Sequence, residues 1–177
     1  VPMILHVWRR AVRAGAGPVI VAAGDQKIVD VVIAAGGQAV LTDPELPSGS
    51  DRVYAAAEIF DPMDAYDVIV NVQGDLPTLD PSLVAASTMP LSDPNIDIAT
   101  IVARITDEKE LSDPAVVKAA LSLKPSERIG SALYFSRNCI PSGAGEHYHH
   151  IGIYAFRRSA LRRFVTLPPT VLEIRER

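Results

Sequence analysis

Apolar positions along the chain follow two spacings, one typical of helices and one typical of strands. Residues 4–16 and 25–35 carry apolar side chains at helical spacing. Residues 18–23 and 68–72 are short, nearly continuous apolar runs, which are typical of buried strands. The remaining pattern predicts strands at 39–42, 97–104, 116–121, 132–136 and 151–156, and helices at 51–60, 81–87, 159–165 and 171–177.

The alternation of strands and helices over residues 1–90 predicts right-handed βαβ units. It indicates an α/β fold, a three-layer α/β/α sandwich around a mixed, mostly parallel sheet. Residues 112–158 are rich in strands and are expected to form an insertion within the same single domain, residues 1–177.

Composition narrows the class of protein further. Hydrophobic residues make up 48% and charged residues 21%, which is typical of a globular chain. A net charge of −4 does not favour a nucleic-acid partner. No apolar run reaches the roughly 18 residues that would predict membrane insertion. Cys139 is the only cysteine, so no intramolecular disulfide forms, which is compatible with the cytoplasm.

The segment VIVNVQGDLP, residues 68–77, holds the strongest candidate for metal chemistry. Its apolar run predicts a buried strand that ends near Gly74. Ligands in open α/β sheets sit outside the carboxyl ends of strands. Asp75 would therefore supply an oxygen ligand where a phosphate-bound cation would lie. An ordinary Gly-Asp turn is the alternative that this segment leaves open.

SGSDR, residues 48–52, sits in a loop that opens a helix. Ser48 and Gly49 leave room for backbone N–H groups to approach a ligand, and Asp51 can cap the helix. Arg52 offers a planar fork that matches a carboxylate or a phosphate. A plain helix cap with a solvated arginine is the alternative.

HHIGIY, residues 149–154, places His150, Gly152 and Tyr154 on one face of a predicted strand. The glycine would leave space above the sheet, so the three positions could form the wall of a pocket for a polyhydroxylated ligand. A hydrogen-bonded His and Tyr in the core is the alternative. The spacing of His147, His149 and His150 does not favour zinc.

Several familiar motifs are missing from the chain. It contains no Walker A loop, no GxGxxG and no GxSxG. A P-loop kinase, a standard dinucleotide enzyme and a hydrolase with a nucleophile elbow are therefore not favoured.

Taken together, nine segments in order resemble the 3-deoxy-manno-octulosonate cytidylyltransferase family, the CMP-Kdo synthetases. The segments are VPMILHVWRRA at 1–11, VIVAAGD at 19–25, SGSDR at 48–52, VNVQGDLP at 70–77, VVK at 116–118, ALYFSR at 132–137, IP at 140–141, HHIGIY at 149–154 and VLEIRER at 171–177. The resemblance implies a nucleotide-diphosphosugar transferase-like fold and a Mg²⁺-dependent reaction of CTP with Kdo that gives CMP-Kdo and pyrophosphate. It further implies a cytoplasmic homodimer that supplies the activated sugar for lipopolysaccharide assembly in Gram-negative bacteria.

The resemblance also implies roles for individual residues. Asp75 would bind Mg²⁺, and Asp75 and Arg52 would be the catalytic pair. Arg52, Gln73, His150 and Tyr154 would bind Kdo, with Arg52 able to serve the nucleotide instead. Ala23, Asp25, Ser48 and Gly49 would lie against CTP.

The resemblance leaves the substrate and the extent of the chain open. The family's first strand and its Gly-rich phosphate loop would precede Val1, and a sugar-contacting segment and a second acidic metal ligand would follow Arg177. A cytidylyltransferase for another sugar acid of the neuraminate type is one alternative. A non-catalytic module that binds a sugar nucleotide is the other.

Overall fold

The protein is described by a computed structural model that covers residues 1–124 and 126–176. These residues form two compact units. The first unit comprises Val1–Ala99 and Gly152–Leu167, and the second comprises Thr100–Ile151 and Pro168–Arg177. Within the described ranges, no helix is long and apolar enough to cross a membrane.

Helices and strands alternate through the first half of the chain, as the apolar spacing predicts. The elements in chain order are α1 (Met3–Ala14), β1 (Ile20–Ala23), α2 (Gln26–Ala34), β2 (Gln38–Leu41), α3 (Gly49–Phe60), β3 (Val68–Val72), α4 (Ser82–Thr88), a 3₁₀ turn (Met89–Ser92), β4 (Ile98–Arg104), α5 (Lys109–Ser112), β5 (Lys118–Ser122), β6 (Ser131–Ser136), β7 (Tyr148–Arg157), α6 (Arg158–Phe164) and α7 (Val171–Arg175).

The first unit has a core between α1, α2 and the strand β1. Leu5 of α1, Val21 of β1 and Val32 of α2 are buried there together, and Trp8 packs against them. Strand β1 pairs in parallel with β2, with Ile20 opposite Gln38. This is the βαβ unit that the sequence predicts, because α2 connects the two parallel strands.

The prediction of a mostly parallel sheet is wrong for the described strands. β3 pairs antiparallel with the second part of β7, from Val68 opposite Arg157 to Val72 opposite Ile153. A continuous apolar run indicates that both faces of a strand are covered, but it carries no information on the direction of the neighbouring strand. The α/β class itself is confirmed.

The second unit is built on antiparallel pairing. β5 and β6 form a hairpin, and the first part of β7 pairs with β5, with Lys118 opposite His149. Lys118 is fully buried, and its Nζ donates to the carbonyl oxygens of Asp113 at 2.6 Å and Arg137 at 2.9 Å. These two bonds tie the segments before β5 and after β6 to the centre of the unit.

Several element boundaries differ from the sequence prediction by a few residues, and two of them lie near predicted site residues. α3 begins at Gly49 rather than Asp51, and Ser48 is its N-cap, since the Ser48 hydroxyl accepts a hydrogen bond from the Asp51 backbone N–H. β7 begins at Tyr148, three residues before the predicted start at Ile151. Its early residues are polar and half-buried, which hides a strand from a pattern based on apolar runs.

Candidate active site

A cavity of about 640 Å³ lies in the first unit. Much of its wall is apolar and is formed by residues of α1, β1, α3 and β3. Six polar side chains also line it: Asp61 and Tyr66, and the four that concern the candidate site, Arg52, Asn71, Gln73 and Asp75. Small-molecule sites commonly combine such a volume with a few convergent polar groups. Three of the four are residues that the sequence predicts for the site.

Asp75 follows the carboxyl end of β3, as predicted. The side chain is exposed, and within residues 1–124 and 126–176 its carboxylate forms no ion pair. β3 fixes the backbone up to Val72, and the N–H of Gln73 extends the ladder by donating to the Gly152 carbonyl oxygen at 3.1 Å. The carboxylate therefore lies just beyond a fixed strand and is available for a ligand.

Gln73 does not leave the predicted space above Gly152 empty. A Cβ atom built on Gly152 would lie only 2.3 Å from Gln73 Oε1 and 2.6 Å from Gln73 Cδ. The glutamine carboxamide thus lies across the strand at the position where any other residue would carry its side chain. The open space that the sequence predicts above Gly152 is therefore filled by the Gln73 side chain.

Arg52 is more engaged than a solvated arginine would be. Its Nη1 donates to Thr42 Oγ1 at 2.7 Å and to the Asp43 carbonyl oxygen at 3.0 Å, and its Nη2 donates to the Pro44 carbonyl oxygen at 3.3 Å. The guanidinium carries five N–H donors. Within the part of the chain that the structure describes, these contacts use three of them, so Nε–H and one N–H on Nη2 remain for two-point contact with an anion.

Gly24, at the end of β1, makes room for the Arg52 guanidinium. A Cβ atom at this position would lie 2.6 Å from Arg52 Nη1 and 3.0 Å from Pro44 Cα. Thr42, which the sequence analysis does not name, is buried and accepts from Arg52 while donating to the Ala23 carbonyl oxygen at 3.2 Å. A buried threonine at the end of a short strand gives no distinctive signal in the sequence.

The predicted nucleotide contacts lie at the end of β1 and at the starts of α2 and α3 in the first unit. Ser48 caps α3, and Gly49 is its first residue. Asp25 caps α2 by accepting a hydrogen bond from the Lys27 N–H at 2.8 Å. The Ala23 carbonyl oxygen is occupied, because it accepts from both the backbone N–H and the hydroxyl of Thr42. This carbonyl oxygen therefore has little capacity left to accept a hydrogen bond from a ligand.

Asn71 is a cavity-lining residue to which the sequence analysis assigns no role. It is 5% exposed, and its Nδ2 lies 3.8 Å from the Cβ position of Gly49. It pairs across the ladder with Tyr154. Burial raises the pKa of Tyr154, whose ring stacks on Phe156 at a centroid distance of 6.1 Å.

His150 belongs to the second unit. Its Nε2 lies 2.8 Å from Thr100 Oγ1, and its ring contacts Phe135 edge-on at 5.0 Å. Burial, reinforced by the neighbouring His149, lowers the pKa of His150 to about 4. The imidazole is therefore neutral near pH 7 and can both donate and accept a hydrogen bond.

A magnesium ion fits Asp75 only in partnership with a substrate. Among the residues that the structure describes, no group of three or more His, Cys, Asp or Glu side chains could hold a metal ion. Mg²⁺ commonly keeps several waters and binds through one or two carboxylates plus substrate phosphates. A single exposed carboxylate beside a cavity suits that mode and does not suit a closed structural metal site.

Comparison with known proteins gives a consistent answer over the whole chain. The family described as "Cytidylyltransferase" matches residues 1–177. A 3-deoxy-manno-octulosonate cytidylyltransferase of Paramagnetospirillum magneticum is 58% identical over 176 residues, covering 99% of this chain and 72% of the relative. The enzyme of the same name from Rhodospirillum rubrum is 58% identical over 179 residues, covering 100% of this chain and 71% of the relative.

A solved structure has the same fold. It is that of a CMP:2-keto-3-deoxy-manno-octonic acid synthetase in complex with CTP, and it superimposes with a TM-score of 0.85 at 33% identity. The match covers 99% of this chain and 71% of the solved chain. With the cavity, the strand-end carboxylate and the ordered set of motifs, these similarities show that the chain belongs to the cytidylyltransferase family, in the group of the 3-deoxy-manno-octulosonate cytidylyltransferases.

Proposed function

We propose that this protein is a 3-deoxy-manno-octulosonate cytidylyltransferase, which joins CTP and Kdo to give CMP-Kdo and pyrophosphate. The observation that carries the proposal is 58% identity to enzymes of that name across almost the entire chain. The CTP complex of the solved relative supports the nucleotide assignment. A role in lipopolysaccharide biosynthesis follows from the product.

The reaction asks the protein mainly to position two anionic substrates. The anomeric hydroxyl oxygen of Kdo forms a bond to the α-phosphorus of CTP, the bond to the β-phosphate bridging oxygen breaks, and pyrophosphate leaves. The hydroxyl proton passes to solvent. Catalysis then depends on orientation and on neutralising the charge that builds up on phosphate oxygens.

Asp75 is the proposed magnesium ligand. It would hold the ion that enters with the triphosphate, and Mg²⁺ would supply charge neutralisation at the α-phosphate. Its carboxylate is exposed in the cavity wall and forms no ion pair with any residue that the structure describes, which supports this role. Ser48 and Gly49 at the start of α3, with Ala23 and Asp25 near the end of β1, are the proposed nucleotide contacts.

Gln73, Tyr154 and Arg52 are the proposed sugar contacts in the first unit. Gln73 and Arg52 line the cavity, and Tyr154 lies on β7 opposite Asn71. A carboxamide and a phenol suit hydroxyl groups, and the two unused N–H groups of Arg52 suit the carboxylate of Kdo. His150 of the second unit remains a proposed sugar ligand on the resemblance alone.

Arg52→Lys should raise KM for Kdo by about tenfold and KM for CTP by much less. An ammonium can replace one contact to the loop at Thr42–Pro44 but cannot also present a planar fork to a carboxylate. Steady-state kinetics with each substrate varied in turn measures both constants. If the constant for CTP moves instead, Arg52 belongs to the nucleotide half of the site.

A homodimer is the proposed assembly. β6 pairs only with β5 among the described strands, and it carries Leu133 at 67% and Phe135 at 36% exposure. Apolar edge strands of this kind are commonly covered by a partner. Sedimentation equilibrium of the purified protein should give twice the chain mass, and Leu133→Glu should shift it towards the monomer. A monomer at micromolar concentration would contradict the assembly.

We further propose that the chain is a single nucleotidyltransferase domain with a three-layer α/β/α arrangement and that it acts in the cytoplasm. One family match that spans residues 1–177 supports a single nucleotidyltransferase domain, and the likeness to a CMP-Kdo synthetase supports the three-layer α/β/α arrangement. Cys139 is exposed and unpaired, which is compatible with a reducing cytoplasm. Partners other than CTP, Kdo and a second copy, such as nucleic acid or a membrane, are not proposed.

Release of pyrophosphate tests the proposed function. The protein is incubated with CTP and Mg²⁺, together with Kdo, with N-acetylneuraminate or without a sugar. We expect pyrophosphate release only in the reaction that contains Kdo. Release with neuraminate alone would indicate a different sugar acid, and no release with either sugar would favour a non-catalytic sugar-nucleotide module.

A further inference from the structure

We propose that Gly152 is a positioning residue, which leaves the room for the Gln73 side chain to lie across β7 and thereby sets the affinity for the sugar acid. The inference rests on the proposed function, because it takes Gln73 as a sugar contact. It assigns a specific task to a glycine that itself offers no group for substrate contact.

The evidence is the packing of one side chain on one backbone position. Gln73 and Gly152 are neighbours across the ladder, where the Gln73 N–H donates to the Gly152 carbonyl oxygen at 3.1 Å. A Cβ at Gly152 would stand 2.3 Å from Gln73 Oε1, 2.6 Å from Cδ and 3.1 Å from Cγ. The conflict involves three consecutive atoms of the glutamine, so rotation of the terminal amide alone cannot relieve it. The exposed side chain would have to turn away from β7.

The backbone of Gly152 does not itself require glycine. Its φ lies outside the left-handed region that only glycine adopts readily, unlike the φ of Gly143 or Gly145. Glycine within a strand also weakens the strand relative to a residue with a side chain. The absence of a Cβ therefore serves the close approach of Gln73 and not the conformation of β7.

The direction in which Gln73 extends explains why its position matters. Alternate residues of an extended chain share a face, so Asn71 of β3 and Gln73, the residue that follows β3, point to the same side of the sheet. In the antiparallel register Asn71 lies opposite Tyr154, which puts Tyr154 and Gly152 on that side as well. Gln73 fills the place of a missing side chain beside the proposed sugar-binding tyrosine. Any side chain at Gly152 would push the carboxamide away from this position.

A double-mutant cycle tests the inference with Gly152→Ala, Gln73→Ala and the two combined. We expect Gly152→Ala alone to raise KM for Kdo by about tenfold, with KM for CTP within about twofold of the original protein. In the Gln73→Ala background, where no carboxamide remains to displace, the same substitution should change KM for Kdo by less than about twofold. Thermal unfolding of all four proteins is measured in parallel.

Each outcome decides the inference. An equal rise in KM for Kdo in both backgrounds, or no rise from Gly152→Ala alone, would overturn the inference. If Gly152→Ala destabilises the fold, the melting temperature should recover when Gln73→Ala is added, whereas a persistent deficit would place the fault in β7 and overturn the inference. If the unaltered protein does not use Kdo, the proposed function fails, while displacement of the Gln73 side-chain NH₂ resonances by Gly152→Ala still reports on the packing.

Discussion

Asp75→Asn should lower kcat with CTP and Kdo by about a hundredfold or more at saturating Mg²⁺, without unfolding the protein. The substitution keeps the volume of the side chain and removes the charge that would hold a divalent cation. The carboxylate is exposed and makes no ion pair in the described parts of the chain, so its loss removes no internal contact. The thermal midpoint should therefore stay within a few degrees of the original value.

Asp30→Asn is the matched control for this experiment. Asp30 is an exposed aspartate on α2, where it accepts a hydrogen bond from Gln26 Nε2 at 2.7 Å. It should have near-normal kcat. Calorimetric titration of Mg²⁺ into the protein with bound CTP gives a readout independent of turnover, and it should show weaker binding only for Asp75→Asn. Near-normal kcat for Asp75→Asn would remove Asp75 from the metal site.

Arg158→Met should lower the free energy of unfolding by about 3 to 5 kcal/mol, because it breaks a buried ion pair and leaves a carboxylate behind. The side chains of Arg158 and Asp61 are only 6% and 8% exposed, and they form an ion pair. Arg158 Nη2 also donates to the Asp61 carbonyl oxygen at 2.7 Å and to Glu58 Oε1 at 3.0 Å. Its Nε lies 2.8 Å from Asp64 Oδ1 without hydrogen-bond geometry.

Asp61 would be left charged and buried without its ion-pair partner. Burial by itself raises the pKa of Asp61, but hydrogen bonds from the Ala65 and Tyr66 N–H groups and the charge of Arg158 outweigh it and lower the pKa. Arg162→Met is the matched control and should lower the free energy of unfolding far less, since Arg162 pairs with Glu58 and Asp64 at the surface. Urea unfolding measures the free energy of unfolding of both variants. An equal loss in Arg158→Met and Arg162→Met would contradict the prediction.

Local pattern was enough to predict most elements of the first unit. The helical spacing of residues 4–16 and the apolar run at 18–23 correspond to α1 and β1. These signals are local, because each helix or strand buries its own apolar face. The antiparallel direction of β3 could not be predicted from a local pattern. It depends on a pairing with β7 that brings residues 68–72 beside residues 153–157, which are distant in sequence.

Some features of the candidate site could likewise be predicted from the local sequence, and others could not. Asp75 and Gln73 could be placed at the end of β3 because a strand, a glycine and a proline mark that end in the sequence. The partners of Arg52 at Thr42–Pro44 could not be predicted, since they depend on how a loop folds back on α3. The contact of Gln73 with Gly152 likewise depends on the exact register of two strands that are distant in sequence.

Direct detection of the product in a competition between sugars tests the central claim most sharply. The protein is incubated with CTP, Mg²⁺ and equal concentrations of Kdo and N-acetylneuraminate. The nucleotide products are separated, and mass spectrometry identifies and quantifies them. The proposed function predicts CMP-Kdo, with pyrophosphate in equal amount and CMP-neuraminate below a few per cent of it. CMP-neuraminate as the main product, or the absence of any CMP-sugar, would contradict it.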